Sequence, residues 1–207
     1  MARRILATLG FAAAGALVLG FAALAQTASG SQPASASNPA IAPPAERVPT
    51  DIRRTTIIVR DMEASLRLYR DALGLRVNYD APMTVSGPAF TQNGPPRPIR
   101  LVLLNANDPW IGWIGLIQYT DRPNRPRRQV PRELGPGSHI MVLAVADAQG
   151  MCARAAAVPG VNMVVPPKIS EYPPRTPGAP PIRVLGCQFF DPDGAYLELN
   201  QSLPPAG

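Results

Sequence analysis

The stretch TTIIVRDMEASLRLYRDALGLRVN, residues 55–78, decides the fold. Its opening Thr, Ile and Val residues suit a pleated, half-buried strand over residues 54–60. Asp61 then stands where a carboxylate caps a helix, and Glu63 falls in the first turn, where the helix dipole favours an acid. Met62, Leu66, Tyr69 and Leu73 recur at i, i+4, i+7 and i+11, an apolar stripe of the kind that faces a sheet. Gly74 sits where a left-handed residue ends a helix. Residues 75–79 alternate as a second strand.

A degenerate copy, MVLAVADAQGMCARAAAVPGVNMVV, starts at Met141, about 86 positions later. Asp and Gly are 13 residues apart in both copies (Asp61 and Gly74, Asp147 and Gly160), and a Val stands two residues before each Asp (Val59, Val145). Two copies are too few for a solenoid, so the simpler expectation is a fold of two similar halves.

The rest of the chain fills in each half. Residues 81–98 are rich in Pro and Gly and read as a loop. Residues 99–105 form an apolar strand, Asn107-Asp108-Pro109 turns the chain, and residues 110–119 form a fourth strand. In the second half, residues 139–145 read as a strand, and Asp147 caps a helix of small residues over 152–157. Residues 161–165 are the next strand. The seven prolines of residues 166–181 exclude helix and central strand. A strand at 182–190 leads into Asp191-Pro192-Asp193-Gly194, a turn in which Pro pre-sets one torsion and Gly accepts a positive φ. Residues 195–201 close the series. The order is βαβββ, twice. The expected fold is α+β: each half a curved sheet with its helix on one face, the opposite faces together forming a cupped cavity.

Residues 1–25 combine Arg3 and Arg4 with an uncharged Ala/Leu/Gly run and a small-x-small site at Ala23-Leu24-Ala25. They read as an export signal cleaved before Gln26, with an uncleaved membrane anchor as the alternative. The protein is then expected to be periplasmic or secreted, or else membrane-anchored. Residues 26–50 are a Ser/Pro/Ala linker, residues 51–120 the first module, 121–137 a basic loop and 138–203 the second module. Lys and Arg number 20 against 14 Asp and Glu, or 18 against 14 without Arg3 and Arg4. Much of the excess lies in one loop, from Arg122 to Arg132. No aromatic residue interleaves with its arginines, which argues against nucleic acid and for a solvated loop or an anionic contact. Cys152 and Cys187 are either a disulfide, which an oxidising compartment permits, or two buried thiols. No nucleotide loop, GxSxG elbow or HExxH pair occurs.

Val59-Arg60-Asp61…Ser65…Tyr69…Leu73-Gly74-Leu75 resembles the opening V-x-D-x-x-x-S-x-x-F/Y-Y-x-x-x-L-G-L of the vicinal oxygen chelate superfamily: glyoxalase I, bleomycin-resistance proteins and extradiol dioxygenases. Residues 189–199, FFDPDGAYLEL, resemble its closing F-x-D-P-D-G-x-x-I/L-E-L. The resemblance runs from about Ile52 to Ser202. It implies one divalent metal, Zn, Ni, Fe or Mn, held by side chains from the first and last strands of each half. Glu198 matches a ligand position and is the candidate for a catalytic or metal-binding role. Arg54, which cannot ligate, stands at the first-strand position, and Ile140 at its counterpart. His139, the only histidine, is one residue early, on the opposite strand face unless a bulge intervenes. The strand-four acid is replaced by Leu116 or Gln118, depending on register. An Arg54–Glu198 ion pair in place of the metal is one hypothesis.

Trp110, Trp113 and Tyr119 are candidates for lining a pocket around a flat or apolar ligand. Arg54, Trp113 and Gln118 are the ligand-binding candidates; Glu198 and His139 are the metal candidates. Three readings remain open: a metal-poor small-molecule-binding protein; a metalloenzyme acting as lyase, isomerase or dioxygenase; and an interaction module at the envelope. The expected partners are a small molecule and a second copy of the chain in a homodimer.

Overall fold

A computed structural model describes residue 46, residues 48–122 and residues 133–206. The expected export signal, nearly all of the expected linker and most of the arginine-rich loop lie outside the described residues.

Eight strands form two four-stranded sheets, in order β1-β4-β3-β2 and β5-β8-β7-β6. The first contains β1 (Arg54–Ile58), β2 (Arg76–Val85), β3 (Arg97–Asn105) and β4 (Trp113–Tyr119). The second contains β5 (Ile140–Ala144), β6 (Asn162–Tyr172), β7 (Ile182–Phe190) and β8 (Tyr196–Leu203). In each half the first strand pairs parallel with the last, and the other pairs are antiparallel. This is the expected βαβββ module, made twice.

Helix α1 begins at Met62–Leu66 and continues through a π-helical turn, Arg67–Ala72. Asp61 caps it by accepting the Ala64 N–H at 3.1 Å. The wider turn brings Leu68 into the buried set beside Met62, Leu66, Tyr69 and Leu73. Gly74 ends the helix at φ 73°, in the left-handed region where a side chain would be strained. Helix α3 (Ala148–Ala156) repeats the plan: Asp147 accepts the Gly150 N–H at 2.8 Å, and Gly160 has φ 90°.

Both helices pack into one shared core. Leu66, Tyr69, Val102, Leu104 and Leu116 from the first half join Cys152, Ala155, Phe189, Leu197 and Leu199 from the second. Cys152 and Cys187 form a disulfide that ties α3 to β7. The bridge was one of two alternatives in the sequence, which carries no sign that the two side chains meet.

Four segments depart from the sequence reading. β2 runs to Val85, through part of the expected loop, and β6 runs to Tyr172, through Pro166 and Pro167. Both are edge strands, where proline forfeits no ladder bond, and the β6 register shifts between Val165 and Lys168 to absorb the pair. A single helical turn, α2 (Pro88–Thr91), lies between β2 and β3. Trp110 precedes β4 instead of belonging to it: Asp108 accepts the N–H groups of Trp110 and Ile111 and holds a turn there.

Candidate functional site

The two halves repeat the same contacts, which fixes which residues correspond. Gln118 accepts the Met62 N–H at 2.8 Å, and Gln201 accepts the Ala148 N–H at 3.0 Å. Val59 donates to the Ile117 carbonyl, and Val145 to the Asn200 carbonyl. In the sheets, Arg54 pairs with Trp113 and Thr56 with Gly115. Ile140 pairs with Tyr196 and Val142 with Glu198 in the same way. Arg54 therefore corresponds to Ile140, Trp113 to Tyr196 and Gly115 to Glu198.

This register corrects the expected place of the strand-four acid. Leu116 is buried in the core and Gln118 caps α1, both on the helix side of the sheet. The position matching Glu198 is Gly115. Its missing side chain leaves space that Thr56 and Arg54 overhang: a Cβ there would meet Thr56 Oγ1 at 2.8 Å and Arg54 Cδ at 3.3 Å.

A cleft of about 1060 Å³ lies between β1 and β5, the end strands of the two sheets. Arg54, Thr56 and Trp113 line it from the first half, and His139, Ile140 and Tyr196 from the second. Leu73, Gly74, Leu75 and Arg76 wall it at the end of α1. Trp113 is nearly buried and its indole N–H donates to the Asp108 carbonyl at 3.2 Å. Trp110 is half exposed beneath the Arg53 guanidinium, 3.4 Å from its ring centroid, and does not line the cleft. Nor does Tyr119, which lies under Arg97 and donates its hydroxyl to the Phe90 carbonyl.

Glu198 lies elsewhere. It shares a small depression on the open face of the second sheet with Lys168, Ser170, Gln188 and Asn200. Asn200 donates its amide to Glu198 Oε1 at 3.0 Å, and Tyr196 donates its hydroxyl to Gln188 Oε1 at 2.9 Å. Burial, and next the Glu198 charge, raise the Tyr196 phenol above its ordinary value. The open face of the first sheet differs in kind: Leu101, Leu103, Ile117, Tyr79 and Met83 lie there by register. Tyr196 joins the two depressions, since it lines the cleft and reaches Gln188.

The residues nominated from sequence are thus divided. Arg54, Trp113 and His139 share the cleft; Glu198 and Gln118 do not line it. No Arg54–Glu198 ion pair forms among the described residues. β5 pairs with β8 without a register shift from Ile140 onward, and His139 stands just before that ladder, where it lines the cleft and not the depression that holds Glu198. Thr56, Gly115, Arg76 and Tyr196 escaped the sequence reading. The 83-residue offset from Gln118 to Gln201 also relates Trp113 to Tyr196 and Gly115 to Glu198, and an alignment of the fourth strands would have found Gly115 and Tyr196, though not Thr56 or Arg76.

The metal implied by the resemblance does not fit this donor set. The four ligand positions carry Arg54, Gly115, Ile140 and Glu198: a cation, no side chain, a hydrocarbon and one carboxylate. Among the described residues no three His, Cys, Asp or Glu side chains group as a metal site would require.

The closing motif serves the frame. Asp191 is fully buried; its Oδ1 accepts the N–H groups of Asp193 and Ala195 at 2.8 and 2.7 Å. Arg60 reaches from the first half to Asp193 at 2.6 Å and to the Pro192 carbonyl. The two family motifs therefore grip each other, which explains their presence in a chain whose ligand positions have changed.

Comparison with known proteins agrees with this frame. The chain resembles a glyoxalase family protein from Bacillus cereus at 16% identity and a TM-score of 0.54, covering 77% of this chain and 99% of that one. A mutant glyoxalase I from Zea mays matches at 16% identity and a TM-score of 0.45, over 72% of this chain. The match spans only 45% of the maize chain. A fosfomycin resistance protein from Mesorhizobium loti matches at 18% identity and a TM-score of 0.39, over 75% of this chain and 90% of that one. No curated protein matches the sequence. The family model described as Glyoxalase/Bleomycin resistance protein/Dioxygenase superfamily matches residues 51–199, and the chain belongs to that superfamily.

Proposed function

We propose that this is an exported protein that binds a small organic molecule in the cleft between β1 and β5, without a metal. The observation that carries the reading is the pairing of a cleft of about 1060 Å³ with ligand positions that hold Arg54, Gly115 and Ile140. The cavity is of the size that takes drug-sized molecules, and its walls combine apolar and aromatic side chains with a few polar groups. Catalysis through a bound cation would need donors that these positions lack. Export is supported by the basic and apolar leader and by the Cys152–Cys187 disulfide, which persists in an oxidising compartment.

Elemental analysis of the purified protein, before and after incubation with Zn, Ni, Fe and Mn and desalting, tests the metal-free part. The expected content is well below one equivalent; one tightly held equivalent overturns the reading. A periplasmic fraction whose mature chain begins at Gln26 is expected from cell fractionation and mass spectrometry. Retention of the leader in a cytoplasmic protein overturns export.

A further inference from the structure

The cleft carries positive charge with nothing built in to balance it. Arg54 and Arg76 line it, and no Asp or Glu is among the described lining residues. Five arginines elsewhere are matched to acids: Arg60 to Asp193, Arg70 to Asp71, Arg97 to Asp121, Arg100 to both Glu63 and Asp80, and Arg183 to Glu171, whereas Arg53 and Arg154 contact a ring and a carbonyl instead. The Arg54 side chain forms no hydrogen bond or ion pair among the described residues, and Arg76 spends one donor on the Ala106 carbonyl.

Arg54 also has company suited to an anion. Its side chain and the Thr56 hydroxyl converge over Gly115, where a Cβ would lie 2.8 Å from Thr56 Oγ1 and 3.3 Å from Arg54 Cδ. A guanidinium fork and a hydroxyl donor carried on the same strand are the groups that recognise the two oxygens of a carboxylate. The surrounding wall is apolar and aromatic: Leu73, Leu75, Trp113, Met141, Phe190 and Tyr196. Glu198, the acid that could neutralise Arg54, is held by Asn200 in the separate depression.

We propose that the cleft is selective for amphipathic organic carboxylates, with Arg54 and Thr56 binding the acid group, Arg76 adding charge, and the apolar wall taking the body. This rests on the small-molecule reading above and adds the class of ligand. A cation at a position that related chains give to a metal ligand would bind the anionic group directly.

Calorimetric titration of the purified chain with matched pairs tests it: 4-phenylbutyrate against 4-phenylbutyramide, octanoate against octanamide, and inorganic phosphate alone. Each acid is expected to bind at least about tenfold tighter than its amide, with the advantage shrinking as salt rises. Arg54→Gln should remove most of that preference, Arg54→Lys should keep part of it, and Arg76→Gln should reduce it less. Arg54 is exposed, so these variants should keep the wild-type circular dichroism and melting temperature. Equal binding of acid and amide, or a preference that survives Arg54→Gln, overturns the proposal and leaves small-molecule binding standing. Phosphate binding as tightly as the acids overturns the carboxylate assignment. Failure of every acid and amide to bind overturns both readings.

Discussion

Tyr69 in helix α1 donates its phenolic hydroxyl to Asp191 Oδ2 at 2.9 Å, joining residues 122 positions apart. Both side chains are fully buried. This bond, with the Arg60–Asp193 contact beside it, fastens the first half to the turn before the last strand of the second. Loss of the hydroxyl leaves a buried carboxylate oxygen without its side-chain donor, at a cost of about 1–3 kcal/mol. Tyr69→Phe should therefore lower the urea midpoint with little change in slope, and an undiminished midpoint would show that the bond does not couple the halves.

Burial raises the Asp191 carboxyl above the ordinary value of 3.8, partly opposed by the N–H of Ala195 and the Tyr69 hydroxyl. A raised acid contributes stability that is complete below the unfolded pKa and is lost as pH rises through the folded one. Asp80 and Asp121 act in the reverse sense, because hydrogen bonds from Arg100 and Arg97 lower them; their contribution is lost as pH falls through their folded values. Comparison with Asp191→Asn isolates the buried group. Urea midpoints from pH 4 to 8 should show wild type gaining on the variant as pH falls toward the raised Asp191 value. A difference that stays constant across that range would mean Asp191 titrates as it does unfolded.

Gln118 and Gln201 do equivalent work at the two helix starts. Each supplies a side-chain acceptor to an N–H that the helix itself cannot satisfy. Gln118→Ala and Gln201→Ala should each cost roughly 1 kcal/mol. Neither should change affinity for a ligand of the cleft, since neither residue lines it. Altered affinity in the Gln118 variant at unchanged stability would return Gln118 to the binding surface.

The Cys152–Cys187 bridge closes a loop across 35 residues, and only the second half has one among the described residues. Removing a cross-link over such a loop costs about 2–4 kcal/mol, chiefly by freeing the unfolded chain. Dithiothreitol should lower the melting temperature, and Cys152→Ala with Cys187→Ala should reproduce the drop and abolish the response to reductant. Identical melting curves with and without reductant would show that the bridge adds nothing.

The frame was legible because it rests on local chemistry. Asp61 and Asp147 cap helices, and Gly74 and Gly160 end them, wherever such residues occur at that spacing. The extent of β2 and β6 was not legible, because proline is permitted on an edge and nothing in residues 81–85 or 166–172 announces that they lie on one. The site was harder still. Gln118 sits one strand position from Ile117, and only the pairing of Thr56 with Gly115 shows which face each takes. Arg54 stood out as a cation at a ligand position, but its neighbour Gly115 signals by lacking a side chain, which reads as nothing until Thr56 and Arg54 are seen over it. The separation of Glu198 from Arg54 depends on where β1 and β8 lie in three dimensions, which no residue spacing encodes.

The correspondence that equates Gly115 with Glu198 stops at their side chains. Two identical halves would give a molecule in the cleft no reason to prefer one orientation over its reverse. Here one side offers Arg54 backed by a greasy sheet, and the other offers Tyr196 leading to Gln188, Glu198 and Asn200. The two halves no longer match at these positions, and the cleft has a head and a tail.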